Sequence, residues 1–130
     1  MPKLKTTPRL TSFAPQLLVS DLKRSMDFYK KVGFSFGKPW EGFYAIGELD
    51  GFELHLKHAH IDAGERAKRH AEEHLDAAAG VNGIEAFYDK CLKNGVTIHK
   101  SLASTEWGTK DFYVADPDGN VISFGGTPAE

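Results

Sequence analysis

Apolar positions along this chain follow two periods, and the periods alternate in the same order twice. Phe13–Val19 is a short apolar run that reads as a strand, with Pro15 tolerated near its start. The spacing then lengthens. Leu22, Met26, Tyr29 and Val32 recur at helical intervals, so Leu22–Val32 is a helix with Asp21 as its N-cap. Lys30 and Lys31 suit the C-terminal end of the helix dipole, and Gly33 follows as the stop. Phe34–Gly37, Gly42–Glu48 and Phe52–His58 come next as strands, separated by Pro39-Trp40-Glu41-Gly42 and by Leu49-Asp50-Gly51.

The second pass opens at Leu75–Val81. Its alanines favour helix by propensity, and only the repeat makes it a strand. Gly83–Lys93 places Ile84, Phe87, Tyr88 and Cys91 at helical spacing and stops before Gly95. Val96–Lys100 reads as a strand, and Ser101–Thr109 reads as a loop carrying Trp107. The chain closes on a strand pair within Lys110–Gly126, turned by Asp116-Pro117-Asp118-Gly119-Asn120.

The offsets define the repeat. Val19, Leu22 and Gly33 are matched 62 positions later by Val81, Ile84 and Gly95. Asp50-Gly51 is matched 68 positions later by Asp118-Gly119. The pattern implies an α+β fold built from two β-α-β-β-β modules of about 50–60 residues each. Residues 1–12 read as an N-terminal arm. Residues 13–126 read as one domain, with modules at about 13–58 and 75–126. Between the modules, Ile61–His74 is charged and carries Glu65–Arg69 and Lys68–Glu72 as opposite-sign pairs four apart. It is expected as a solvated linking helix or a mobile loop.

Composition narrows the partners. The chain is 41% hydrophobic and 26% charged, with a net charge of −2. That balance argues against nucleic acid and against an anionic membrane surface, which both call for a basic face. Cys91 is the lone cysteine, so no internal disulfide is possible, and within its helix it reads as a small apolar residue. No apolar run approaches ~18 residues, and the N-terminus lacks a signal-like apolar core. A soluble, cytoplasmic protein is expected.

Five of the six histidines fall between positions 55 and 74. His70 and His74 make an H-x-x-x-H pair, but Ala71 stands where a zinc protease would need its glutamate. Exposed helix histidines are the better reading. His58 and His60 read as surface residues at a strand end. On the strand Phe52–His58, alternation places Glu53, His55 and Lys57 on one face, suited to polar contacts.

Three motifs carry a resemblance: VSDLKRSMDFYKKVGF at 19–34, GIEAFYDKCLKNGV at 83–96 and DPDGNVI at 116–122. Over roughly residues 13–126 the chain resembles the vicinal-oxygen-chelate superfamily, which includes glyoxalase I, extradiol dioxygenases and the fosfomycin and bleomycin resistance proteins. GIEAFYDKCLKNGV followed by EWGTKDFYVADPDGN is most similar to the bleomycin resistance proteins. The resemblance implies that each module curls its sheet into a half-barrel whose concave face is the site.

In the enzymes of that superfamily, His, Glu or Gln side chains on this face hold a divalent ion. The matching positions here are Ala14, His55, Asp76 and Ser123. Alanine donates nothing, and serine is a weak neutral donor. The resemblance therefore implies no catalytic metal and no cofactor. It points to a metal-independent binding protein that sequesters an aromatic or cationic small molecule, as the bleomycin-binding branch does. The expected contacts are stacking by Trp40 and Trp107, walls from Phe43 and Phe112, and polar contacts from His55, Asp76 and Glu106. A homodimer, with each chain completing the other's cavity, is the expected assembly. The alternative is a metal-dependent enzyme of the glyoxalase or dioxygenase type, with a reduced ligand set around His55 and Asp76.

Overall fold

Two four-stranded sheets of identical topology carry the chain, and each is covered on one face by a helix. The computed structural model describes residues 7–128. The first module runs β1 (Gln16–Val19), α1 (Leu22–Val32), β2 (Ser35–Phe36), β3 (Tyr44–Leu49) and β4 (Phe52–His58). A linking helix, α2 (Ala63–Ala71), follows. The second module runs β5 (Ala77–Gly80), α3 (Ile84–Lys93), β6 (Ile98–Ser104), β7 (Lys110–Ala115) and β8 (Val121–Gly126). Strand order is β1-β4-β3-β2 in one sheet and β5-β8-β7-β6 in the other. The first pair of each is parallel and the rest are antiparallel.

Local chemistry fixes the elements. The Asp21 side chain accepts from the Arg24 N–H at 3.0 Å and caps α1. The chain between β3 and β4 turns on Asp50 (φ 53°) and Gly51 (φ 86°). Two successive positive φ values give the mirror-type turn whose twist suits a hairpin, which an Asp-Gly pair tolerates. The α2 segment is helical, with Asp62 capping it by accepting from the Glu65 N–H at 2.8 Å. The alanine-rich 77–80 segment is a strand because β8 pairs with it in parallel, and this tertiary pairing overrides its propensity.

Two strand boundaries differ from the sequence reading by three residues or more. β1 begins at Gln16 rather than Phe13. Pro15 stays outside the strand and contributes only its carbonyl, which accepts from the His55 N–H at 3.0 Å. β6 continues to Ser104, through residues expected as loop. Its register with β7 shifts between Ile98 and Lys100 and again between Lys100 and Ala103. Those irregularities hide the alternation that would have marked it as a strand. Of the expected arm, residues 1–6 lie outside the described residues, while 7–12 form no helix or strand and are exposed.

One core spans both modules. Leu17, Val19, Ala45, Leu54 and Leu56 meet Leu22, Met26, Tyr29 and Val32 on the inner face of the first sheet. Phe112, Val114, Ile122 and Phe124 meet Ile84 and Cys91 in the second. Burial pushes the Cys91 thiol up to about 11, which suits an inert apolar filler. Each fully buried side chain of this kind contributes about 1.5–3 kcal/mol, so helix-on-sheet packing outweighs any single polar contact.

A polar joint adds register between the modules. The Asp116 carboxylate accepts from Tyr29 O–H at 2.8 Å and from the Asn120 side chain at 2.9 Å. It also accepts from the backbone N–H groups of Asp118 and Asn120 at 2.9 Å. Asp118 accepts from the Ser20 N–H at 2.9 Å and pairs with Arg24 at 3.3 Å. Asn120 donates to the Leu18 carbonyl at 2.9 Å. The β7–β8 turn is thus clamped onto the end of β1 and the start of α1. Among the described residues no helix is long and apolar enough to cross a membrane.

Candidate binding site

Alternation sends Leu17, Leu54 and Leu56 inward, and it sends Gln16, Tyr44, Ile46, Glu53, His55 and Lys57 to the outer face of the first sheet. There the polar groups link up. Gln16 Nε2 donates to Tyr44 Oη at 2.9 Å. Tyr44 Oη lies 2.6 Å from His55 Nδ1. His55 Nε2 lies 3.1 Å from Glu53 Oε1. In the tautomer with the ring proton on Nε2, Tyr44 O–H donates to Nδ1 and Nε2 donates to Glu53. Both nitrogens of His55 are therefore occupied within the protein.

Aromatic rings flank this chain of bonds. Trp40 and Tyr44 close a tight turn, with the Trp40 N–H donating to the Tyr44 carbonyl at 2.9 Å. The turn sets Trp40 edge-on to Tyr44 with centroids 6.1 Å apart, and it sets Phe43 6.0 Å from the same ring. Trp40 is 58% exposed and Phe43 is 56% exposed, so both rings are free to stack. His55 meets Tyr44 edge-on at 5.5 Å. The structure thus brings Trp40, Phe43 and His55 together and adds Tyr44, Gln16 and Glu53.

The outer face of the second sheet is built differently. Asp76, just before β5, pairs with Arg69 of α2 and accepts from the Val121 N–H at 2.8 Å. Both its oxygens serve the fold. His70 is half-buried, with Nε2 2.7 Å from the Gly119 carbonyl and its ring 5.0 Å from that of His99. It is therefore not the exposed helix residue that the sequence suggested. A Cβ on Gly119 would sit 3.2 Å from the His70 ring, and Gly119 has φ 82°, so this docking calls for glycine. Glu106 and Trp107 lie in the turn between β6 and β7, which Thr105 and Thr109 close through backbone and side-chain bonds. Trp107 is 74% exposed. Among the described residues it makes no ring contact with Trp40, and each tryptophan belongs to its own module.

Phe112 is a correction. Expected in the cavity wall, it is fully buried on the inner face, 4.8 Å from Tyr88 and 5.5 Å from Phe124. Its neighbour Tyr113 takes the outer face, opposite Ser123, with Lys100 Nζ 5.1 Å from its ring centre. Alternation through the five-residue turn 116–120 carries that information. Val121 faces Ala115, so Ser123 faces Tyr113. Gln16 was missed, and Tyr44, an aromatic of the expected cavity, was given no contact of its own. Neither carries a motif, and only the cross-strand register puts them beside His55.

The superfamily's divalent ion does not fit this residue set. Ala14 has no donor atom. Both His55 nitrogens, on the first sheet, and both Asp76 oxygens, beside the second, are engaged. Among the described residues no three His, Cys, Asp or Glu side chains are arranged to hold a metal ion.

Comparison with known proteins agrees with the architecture. The bleomycin resistance proteins of Geobacillus stearothermophilus and Staphylococcus aureus are each 34% identical to this chain, over 85% of it and 92% of the relative. A glyoxalase/bleomycin resistance protein/dioxygenase from Alicyclobacillus acidocaldarius superposes with TM-score 0.71 at 14% identity, over 91% of this chain and 92% of that one. A bleomycin-binding protein solved in complex with bleomycin also gives TM-score 0.71, at 18% identity over 92% of this chain and all of that one. The glyoxalase/bleomycin resistance protein/dioxygenase family model matches residues 9–124, and this chain belongs to that superfamily.

Proposed function

We propose that the chain is a binding protein of the bleomycin-resistance type, which holds an aromatic or cationic small molecule and releases it unchanged. The observation that carries this reading is the outer face of the first sheet. Trp40 and Phe43 are exposed beside a polar chain whose histidine is fully engaged within the protein. Exposed rings stack on flat or cationic guests, and Glu53 supplies a carboxylate for a basic group. The 34% identity to bleomycin resistance proteins makes bleomycin the first ligand to try.

The site extends across two copies of the chain. Trp107 and Glu106 of the second module would complete the cavity against Trp40 and Phe43 of the partner's first module. The exposed side chains Leu18, Trp40, Phe43 and Trp107 favour such a partner, because they are large apolar groups left open in one chain.

Calorimetry and tryptophan fluorescence against copper-free and copper-loaded bleomycin test the reading. We expect saturable binding at one drug per chain, a dimer on gel filtration, and drug recovered chemically intact. Silence in both readouts at about 100 µM protein would exclude even a micromolar complex. Stoichiometric metal in protein purified without chelator, lost in His55→Ala, would instead establish the enzyme reading.

A further inference from the structure

We propose a second ligand site, for a small organic anion, in the cavity between α2 and the β7–β8 turn. This cavity is an open cleft of about 720 Å³, within the range of small-molecule sites. It shares no residue with the Trp40–His55 face, so either assignment can fail without the other.

The case rests on the two half-buried arginines of α2, which differ in one respect. Arg69 has its carboxylate, Asp76. Arg66 lines the cavity and has no ion pair among the described residues. Its Nη1 is screened from water and has no hydrogen-bond partner. A guanidinium left without an acceptor or a counter-charge inside the protein is an electrostatic cost, which an anion in the cavity beside it lowers.

The surroundings suit an anion. His58 and His60 line the same cavity, and their rings have no hydrogen-bond partner among the described residues. The one carboxylate in the wall, Asp118, is already paired with Arg24 and accepts from the Ser20 backbone. Ile61 and Pro117 provide an apolar surface beside these donors. A carboxylate or phosphate group at Arg66, on a compact apolar body lying over Ile61, matches that division. A guanidinium fork binds either group in bidentate fashion.

Titration of the full chain with benzoate and phenyl phosphate, followed by backbone amide NMR shifts, tests this, with benzamide as the uncharged control. We expect at least one anion to saturate with shifts centred on residues 58–70 and 117–119, and benzamide to bind at least about 10-fold more weakly. Arg66→Gln keeps helix propensity and length and should cost about 10-fold or more in anion affinity, with bleomycin binding unchanged. Arg66→Lys keeps the charge without the fork and should fall between the two, and it decides the matter if Arg66→Gln does not fold. Saturation by benzoate would identify a carboxylate site, and saturation by phenyl phosphate a phosphate site. No saturation by about 10 mM of either anion, equal binding of benzamide, or undiminished affinity in the variants would overturn the assignment.

Discussion

The two modules share a backbone and almost nothing else on their outer faces. Strand order, parallel first pair and helix position are the same in both. Even the helix starts differ in chemistry. Asp21 caps α1 with its side chain, whereas Gly83 before α3 offers none. The first sheet presents an open line of polar bonds between exposed rings. Beside the second sheet, α2 docks through side chains, with Arg69 on Asp76 and His70 on Gly119 and His99. The inner faces are constrained by a shared core, and the outer faces are not. Duplication therefore kept the topology and let matched positions take different work. Asp76, matched to Ala14 by the repeat, ties the linking helix to the second sheet. His55, matched to Ser123, anchors a chain of side-chain bonds open to solvent.

The sharpest way to break this contrast is to remove the two anchoring residues separately. Asp76→Ala strands the Arg69 guanidinium and leaves the Val121 N–H without its acceptor. Asp76 is 10% exposed and Arg69 25%, so the expected loss is about 2–4 kcal/mol of unfolding free energy in urea. His55→Ala should stay within about 1 kcal/mol, because its partners Tyr44 and Glu53 can turn to water. Comparable losses in the two variants would remove the distinction between a structural and an available face.

Ligand affinity sharpens the comparison at a smaller scale. Trp40→Ala and Trp107→Ala should each weaken bleomycin binding by about 1–2 kcal/mol, roughly 5- to 30-fold, with little change in stability because both rings are exposed. Equal effects fit a cavity walled by both modules. An effect confined to Trp40 would restrict the site to the first sheet and make the second module a scaffold.

Legibility in the sequence followed the same division. The α1 helix was readable from Asp21 to Gly33, since spacing and cap chemistry are local. The hairpin at Asp50-Gly51 was readable for the same reason. β6 was not, because its irregular pairing with β7 breaks the period on which strand recognition depends. Phe112 was placed on the wrong face because a step of one residue along a strand inverts every side chain, and only the β7–β8 register fixes it. The DPDGN turn was legible as a turn but not as a joint. Its bonds to Tyr29, Ser20, Arg24 and Leu18 span nearly the whole chain, and no local pattern announces them.

That joint also yields the smallest of the expected effects. Burial holds the Asp116 carboxyl above its ordinary value of 3.8, against four hydrogen bonds that favour the charged form. The folded chain therefore retains a proton at pH values where the unfolded chain has lost it. The stability this supplies is complete below 3.8 and fades as pH rises through the folded value. Asp116→Asn removes the titration while keeping the shape, so the wild type should lose stability relative to the variant between about pH 3 and about pH 7 when their denaturation midpoints are compared. A wild type that instead gains on the variant as pH rises would mean that the donors from Tyr29, Asp118 and Asn120 outweigh burial. The turn would then clamp the first module as a charged group, and the link between the modules would weaken in acid rather than in base.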